Sequence, residues 1–391
     1  MIIKSILDSD LYKFSQMNAV AKLYPNTKVR YSFINRGGTR FPKGFDDRLK
    51  EEVKNMSSLH LEKGEEQFFK ERCPFLDPVY FDLLRGYRFN PDEVDISQIN
   101  GILSVNIGGY FYKTILWEVP LMAMISELNY AMVRKNVDMT GEFGKVTELI
   151  NKKSEKFKAL GIKFADFGTR RRYAYWYQNL MVSTFSPNKN FVGTSNVSLA
   201  HKYDLTPIGT QAHEWYMFHA AKYGFKMATR VALGRWVDAY HGNLGIALTD
   251  TFTSDEFFRS FDTLYAKLFD GVRQDSGSPF EFADKAIKHY EKLRIDPLSK
   301  TIVFSDGLNY DFVKKIEKYV NGRIKTSYGI GTYLTNDIPE VKPLNMVIKM
   351  TAADPDGNGK WIPTIKLSDS KTKYTGNKDM IKRALQEIKG R

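Results

Sequence analysis

Hydrophobic and polar positions change rhythm along this chain. Leu11, Tyr12, Phe14, Met17 and Val20 recur at helical spacing behind Asp8, Ser9 and Asp10, which predicts a capped helix over 7–20. Residues 27–35 alternate as a strand, and 46–56 and 64–73 read as helices. Two strands, 102–107 and 110–119, are expected around Gly108-Gly109, then an apolar helix from 120 to about 133.

From about residue 145 the texture changes. Short apolar runs end in Gly, Ser, Thr, Asp or Arg within 164–172, 191–196, 205–210, 245–250, 269–277, 301–307 and 324–332. Helical patterns lie between most of them, at 146–160, 173–184, 214–222, 254–268, 279–293 and 310–319. This β/α alternation predicts an α/β fold with a parallel sheet closed as a barrel, its polar strand ends gathered at one face. The tail reads as two strands, 345–351 and 360–367, around Asp354-Pro355-Asp356-Gly357. The expected division is an N-terminal α/β domain (1–140), with 345–391 packing back on it, and a β/α domain (141–344).

With 391 residues, 42% of them hydrophobic and 14% aromatic, the chain can bury a sizeable core. The single cysteine, Cys73, excludes an intrachain disulfide and a cysteine-rich metal site. No run reaches the roughly 20 apolar residues of a membrane helix. The first residues lack the pattern of a signal peptide. These features point to a cytoplasmic protein without a membrane partner. The net charge of +13 attracts anions such as nucleic acid, a membrane surface or phosphorylated small molecules. No basic helix with interleaved aromatics stands out, so a nucleic-acid-binding protein is the remote alternative.

Leu205 to Trp215 reads as strand, Gly-Thr turn and helix, with His213 near the helix start. A neutral imidazole there could accept a phosphoryl group, stabilised by the helix N-terminus; a capping histidine has the same pattern. Arg273 and Asp275, two apart on an extended chain, would project together. The carboxylate could hold ribose or magnesium and the arginine a phosphate or carboxylate, although an ordinary ion pair fits the same spacing. Phe167-Gly168-Thr169-Arg170-Arg171-Arg172 offers a ring to stack on beside guanidiniums. Ser305-Asp306-Gly307 and Gly329-Ile330-Gly331 end the last two candidate strands, where backbone N–H groups often cradle phosphate. Neither Gly-x-x-x-x-Gly-Lys-Ser/Thr nor Gly-x-Gly-x-x-Gly occurs, and the histidine spacing does not suit zinc.

As a set, these stretches resemble the nicotinate phosphoribosyltransferase family of bacteria and fungi. The carrying residues are Asp10-Leu11-Tyr12-Lys13-Phe14, Phe167 to Arg171, Gly193-Thr194-Ser195-Asn196, Gly209 to Glu214, Val272 to Gly277, Ser305-Asp306-Gly307 and Tyr328 to Thr332. The resemblance implies an irregular, barrel-like catalytic domain beside an N-terminal α/β domain. It implies transfer of the ribosyl group of 5-phosphoribosyl 1-diphosphate to nicotinate, a pentosyl transfer of the ATP-dependent ligase class in NAD salvage. ATP and Mg2+ would be needed, with His213 phosphorylated. A homodimer would share active sites, Tyr12 reaching a neighbour's site so that the pyridine lies between Tyr12 and Phe167. Catalytic roles then fall to His213, Asp275 and Arg273. Substrate contacts fall to Tyr12, Phe167, Arg170, Ser195, Thr210, Asp306, Gly307, Gly329 and Gly331. Ser195 can donate to a carboxylate where an acid would repel it, which favours nicotinate over nicotinamide. Nicotinamide or quinolinate on the same scaffold is the alternative.

Overall fold

The computed structural model describes residues 1–339 and 341–389, the side chains of residues 139 and 389 excepted. Its strands are β1 (Lys28–Asn35), β2 (Val94–Ile99), β3 (Ile102–Tyr110), β4 (Phe164–Asp166), β5 (Phe191–Thr194), β6 (Ile246–Leu248), β7 (Gly271–Gln274), β8 (Thr301–Phe304), β9 (Lys325–Ile330), β10 (Met346–Asp354) and β11 (Ile362–Pro363). They form two sheets. One is antiparallel, in the order β11-β10-β1-β3-β2. The other is parallel, in the order β5-β4-β9-β8-β7-β6.

Helices cover the parallel sheet because their apolar residues recur every three or four positions. Tyr310–Val320 buries Val313, Ile316 and Val320, and Pro279–Lys292 buries Phe282, Ala283, Ala286, Ile287 and Tyr290. The sheet closes irregularly. Between its edge strands the chain runs through Pro207, which bridges Thr194 at the end of β5. Gln211 then reaches the other edge, its Oε1 accepting from Leu248 N–H of β6 at 3.1 Å. The expected strand at 205–208 is therefore a single bridge, since its residues pair on one side only.

Three further expectations are corrected. β3 runs straight through Gly108-Gly109 and the chain turns helical at Phe111. The reversal lies earlier, at Asn100 (φ 50°) and Gly101 (φ 77°), which join β2 to β3 as a tight hairpin. The helix expected over 254–268 is two helices, Ser254–Ser260 and Thr263–Leu268, because Asp262 accepts from Leu264 and Tyr265 N–H and caps the second. The tail divides. β10 pairs with β1 in the N-terminal sheet, whereas helix Lys378–Lys389 packs on helix Phe225–Tyr240. Residues 390–391 of that tail lie outside the described residues. No helix among the described residues is long and apolar enough to cross a membrane.

Candidate active site

The tips of β4, β7, β8 and β9 and the body of β10 surround a cavity of about 340 Å³. After β4 the turn is set by Asp166, which is fully buried. Its carboxylate accepts from Gly168 N–H (2.8 Å), Gln178 Nε2 (2.8 Å) and Thr194 Oγ1 (2.7 Å). Burial outweighs these bonds and pushes its pKa up to about 6. The turn delivers Phe167, whose ring lies against Gly329. A Cβ on Gly329 would meet that ring at 2.3 Å, so only glycine leaves room. Arg170 stands over the Tyr12 ring at 5.9 Å and reaches Glu118 at 3.5 Å.

Arg273 leaves β7 as a three-way clamp. Its Nε donates to Ser305 Oγ (2.8 Å), Nη1 to Thr210 Oγ1 (2.9 Å) and Nη2 to Asp275 Oδ1 (2.9 Å). The guanidinium also lies 5.6 Å from the Phe167 ring centre. Burial alone would raise the Asp275 carboxyl, but Arg273 and then His213 hold it well below its ordinary value, so it is ionised at neutral pH.

His213 is the first residue of helix His213–Tyr223, behind Ala212, which offers no side-chain cap. Its Nδ1 lies 3.0 Å from Thr251 Oγ1. Its Nε2 faces Lys366 Nζ at 2.9 Å and Asp275 Oδ2 at 3.1 Å, with Asp250 Oδ1 at 3.8 Å. Lys366 can only donate and Asp275 only accept, so one nitrogen meets two opposite demands. Burial, then Lys366, lowers the imidazole to about 4 despite the two aspartates. The ring is neutral near pH 7 and keeps a lone pair.

Of the residues singled out from sequence, Tyr12, Phe167, Arg170, His213, Arg273, Asp275, Asp306, Gly307 and Gly331 line this one cavity. Three do not. Thr210 sits behind Arg273 as its acceptor. Gly329 lies under Phe167, which covers the backbone that was to cradle phosphate. Ser195 is buried and its hydroxyl donates to Asp10 Oδ1 at 2.8 Å, so its proton is committed away from the cavity. Tyr12 lines the cavity of its own chain: Leu11 N–H donates to Ser195 O at 2.8 Å, and Gly209 packs against Tyr12 N. Tyr12 and Phe167 both line this cavity.

The sequence reading missed Lys366, Asp250, Thr251, Lys349, Arg36 and Lys373. Asp250 ends an apolar run like the other tips and carried a usable signal. Lys349 and Lys366 each sit inside an apolar stretch, Met346 to Met350 and Ile365 to Leu367. A lysine so flanked is a candidate for burial with a purpose. Lys349, in the cavity wall, is lowered to about 8 by burial, with Lys366 and Arg170 adding and Glu118 opposing.

A parallel sheet whose tips converge an arginine clamp, ionised carboxylates and a neutral histidine on one cleft defines an enzyme of the β/α class that handles anions. A model of the nicotinate phosphoribosyltransferase (NAPRTase) family matches residues 162–388, and one of the NAPRTase N-terminal domain matches residues 7–126. A nicotinate phosphoribosyltransferase of Chromohalobacter salexigens is 51% identical over 385 residues, 98% of this chain and 97% of its own. The crystal structure of nicotinate phosphoribosyltransferase from Porphyromonas gingivalis superposes with a TM-score of 0.96 at 40% identity, covering 99% of this chain and 100% of that one. That from Vibrio cholerae gives 0.91 at 33%, covering 100% and 94%. The chain belongs to the nicotinate phosphoribosyltransferase family.

Proposed function

We propose that this enzyme joins nicotinate to 5-phosphoribosyl 1-diphosphate, giving nicotinate mononucleotide and diphosphate for NAD salvage. ATP hydrolysis is coupled through phosphorylation of His213, and the enzyme works as a homodimer. The observation that carries this reading is the neutral imidazole of His213 facing Asp275 inside the cavity clamped by Arg273.

In the transfer, the pyridine nitrogen lone pair attacks the anomeric carbon. The C–O bond to diphosphate breaks and diphosphate leaves with the electron pair. Phe167 and Tyr12 hold the flat ring, and Arg170 and Arg171 face the anions. Asp275 is fixed by Arg273 and Ser305, so its charge can oppose the positive charge that grows on the sugar. In the coupled half, a ring nitrogen of His213 attacks the γ-phosphorus of ATP, ADP leaves, and water later cleaves the N–P bond.

The donor set fits Mg2+. Asp275 is ionised, and Asp250 Oδ1 is buried without a hydrogen-bond partner among the described residues. Ligand atoms of His213, Asp250 and Asp275 lie within 4.8 Å of one another. The two carboxylates would hold the ion, and it would offset charge on the departing diphosphate.

The test has two parts. Labelled ATP should leave acid-labile phosphate on His213, mapped by peptide analysis; label elsewhere, or none, defeats the coupling. Assays with each pyridine should show turnover of nicotinate; turnover of nicotinamide or quinolinate instead defeats the substrate assignment.

A further inference from the structure

Gln211 follows Thr210, lines the cavity and is only 1% exposed. Its side-chain amide is held in one orientation. Oε1 accepts from Leu248 N–H at 3.1 Å and from the Tyr216 hydroxyl. A backbone N–H only donates, so turning the amide over would set two donors against each other. The other end is therefore the –NH2, with two protons to give. That Nε2 is buried and has no hydrogen-bond partner among the described residues. Among the described residues that line the cavity, Gln211 alone carries a buried side-chain donor left unpaired.

Buried donors are nearly always paired, because an orphan carries its full desolvation cost. We propose that Gln211 is a substrate-binding residue whose Nε2 donates to a ribose hydroxyl of 5-phosphoribosyl 1-diphosphate. This rests on the reading that this substrate fills the cavity. The anionic parts of that molecule are matched by cations: Arg36, Arg171 and Lys349 line the same cavity. A neutral amide suits a neutral acceptor instead, and the neutral acceptors of the substrate are its sugar oxygens.

The place of Gln211 in the sheet agrees. Leu248, which holds its amide, sits opposite Arg273 where β6 pairs with β7. Thr210, its chain neighbour, accepts from Arg273 Nη1 at 2.9 Å, and Nη2 of the same guanidinium holds Asp275. Gln211 and Asp275 are thus tied to one arginine, the first as a donor toward the cavity and the second as an acceptor. A hydroxyl both gives and takes a hydrogen bond. One that donates to the Asp275 carboxylate keeps its lone pairs free for the –NH2. Gripped in this way, the sugar presents its anomeric carbon to the pyridine nitrogen in a fixed orientation.

The 2-deoxy and 3-deoxy analogues of 5-phosphoribosyl 1-diphosphate, each compared with the natural substrate by kcat/KM, test this. The parent should reject the analogue that lacks the bonded hydroxyl, because Nε2 then stays unpaired. In Gln211→Met, which has no donor, that discrimination should shrink by roughly fivefold to a hundredfold. Comparing ratios between parent and variant cancels the intrinsic reactivity of each analogue. Should Gln211→Met fail to fold, Gln211→Glu serves: one oxygen keeps the bonds from Leu248 and Tyr216, and the –NH2 is gone. Equal discrimination against both analogues in the parent and a folded variant overturns the proposal. So does a rise in the nicotinate KM with that discrimination intact. Failure of the parent to turn over the natural substrate with nicotinate overturns the reading of the cavity itself, and is seen before any variant is made.

Discussion

The parallel sheet feeds the cavity through its tips, whereas the antiparallel sheet feeds it through the body of β10, whose residues Met346 to Met350 all line it. Arg273, Asp275, Asp306 and Gly331 sit where strands end and loops begin, so each can be tuned with little effect on pairing. Lys349 is locked by register. It pairs opposite Ser32 of β1, and a slip of one residue would put a neighbouring side chain in its place along the wall. One wall of the site is thus set by loop chemistry, the other by the alignment of strands from opposite ends of the chain.

Substitutions at the tips should break this division most sharply. His213→Asn should abolish ATP stimulation and acid-labile phosphate while slow ATP-independent transfer persists. Equal stimulation in variant and parent would remove His213 from the mechanism. Asp275→Ala should lower kcat/KM by roughly 10²–10³-fold, the scale seen when a positioned transition-state contact is lost. Its loss of thermal stability should be far smaller; matched losses would make the residue structural.

On the β10 wall the effect should be smaller and dependent on pH. Lys349 is cationic below about 8 and neutral above it. Affinity for 5-phosphoribosyl 1-diphosphate should weaken as pH rises through 8, and Lys349→Met should erase that limb of the KM profile. Gly329→Ala should raise the KM for nicotinate several-fold, since its Cβ meets Phe167 at 2.3 Å and displaces the ring. Gly101→Ala, at φ 77° and outside the cavity lining, should cost about 1 kcal/mol in denaturant unfolding and leave kinetics unchanged.

The histidine gives a pH signature of its own. Its folded value of about 4 lies below the ordinary 6.5, so between these values the unfolded chain binds the extra proton. His213 therefore subtracts stability as pH falls from 6.5 toward 4. His213→Asn should flatten that part of the unfolding profile.

The two walls also differ in how far they can be read from sequence. Strand tips announce themselves, since an apolar run ending in Arg273-Gln274-Asp275 or Ser305-Asp306-Gly307 has both a period and a break. The hairpin at Asn100-Gly101 carried an equally local signal, overshadowed by Gly108-Gly109. On the β10 wall the only local mark is a lysine flanked by apolar residues, which speaks of burial but not of what Lys349 faces. That Lys349 faces the cavity depends on a pairing with β1 across more than three hundred residues. Ser195 was misplaced because its partner, Asp10, comes from the far end of the chain. Local pattern is visible in one dimension, but pairing across that distance is not.

Lys366 meets the imidazole of His213 from the last strand-like segment, while Tyr12 comes from the first helix. A chain still emerging from the ribosome can therefore form every strand of the parallel sheet and yet leave the histidine without its ammonium. The site lacks one of its charges until Lys366 has been made, so copies cut short before it would hold a cleft without the ammonium that adds to burial in keeping the imidazole unprotonated.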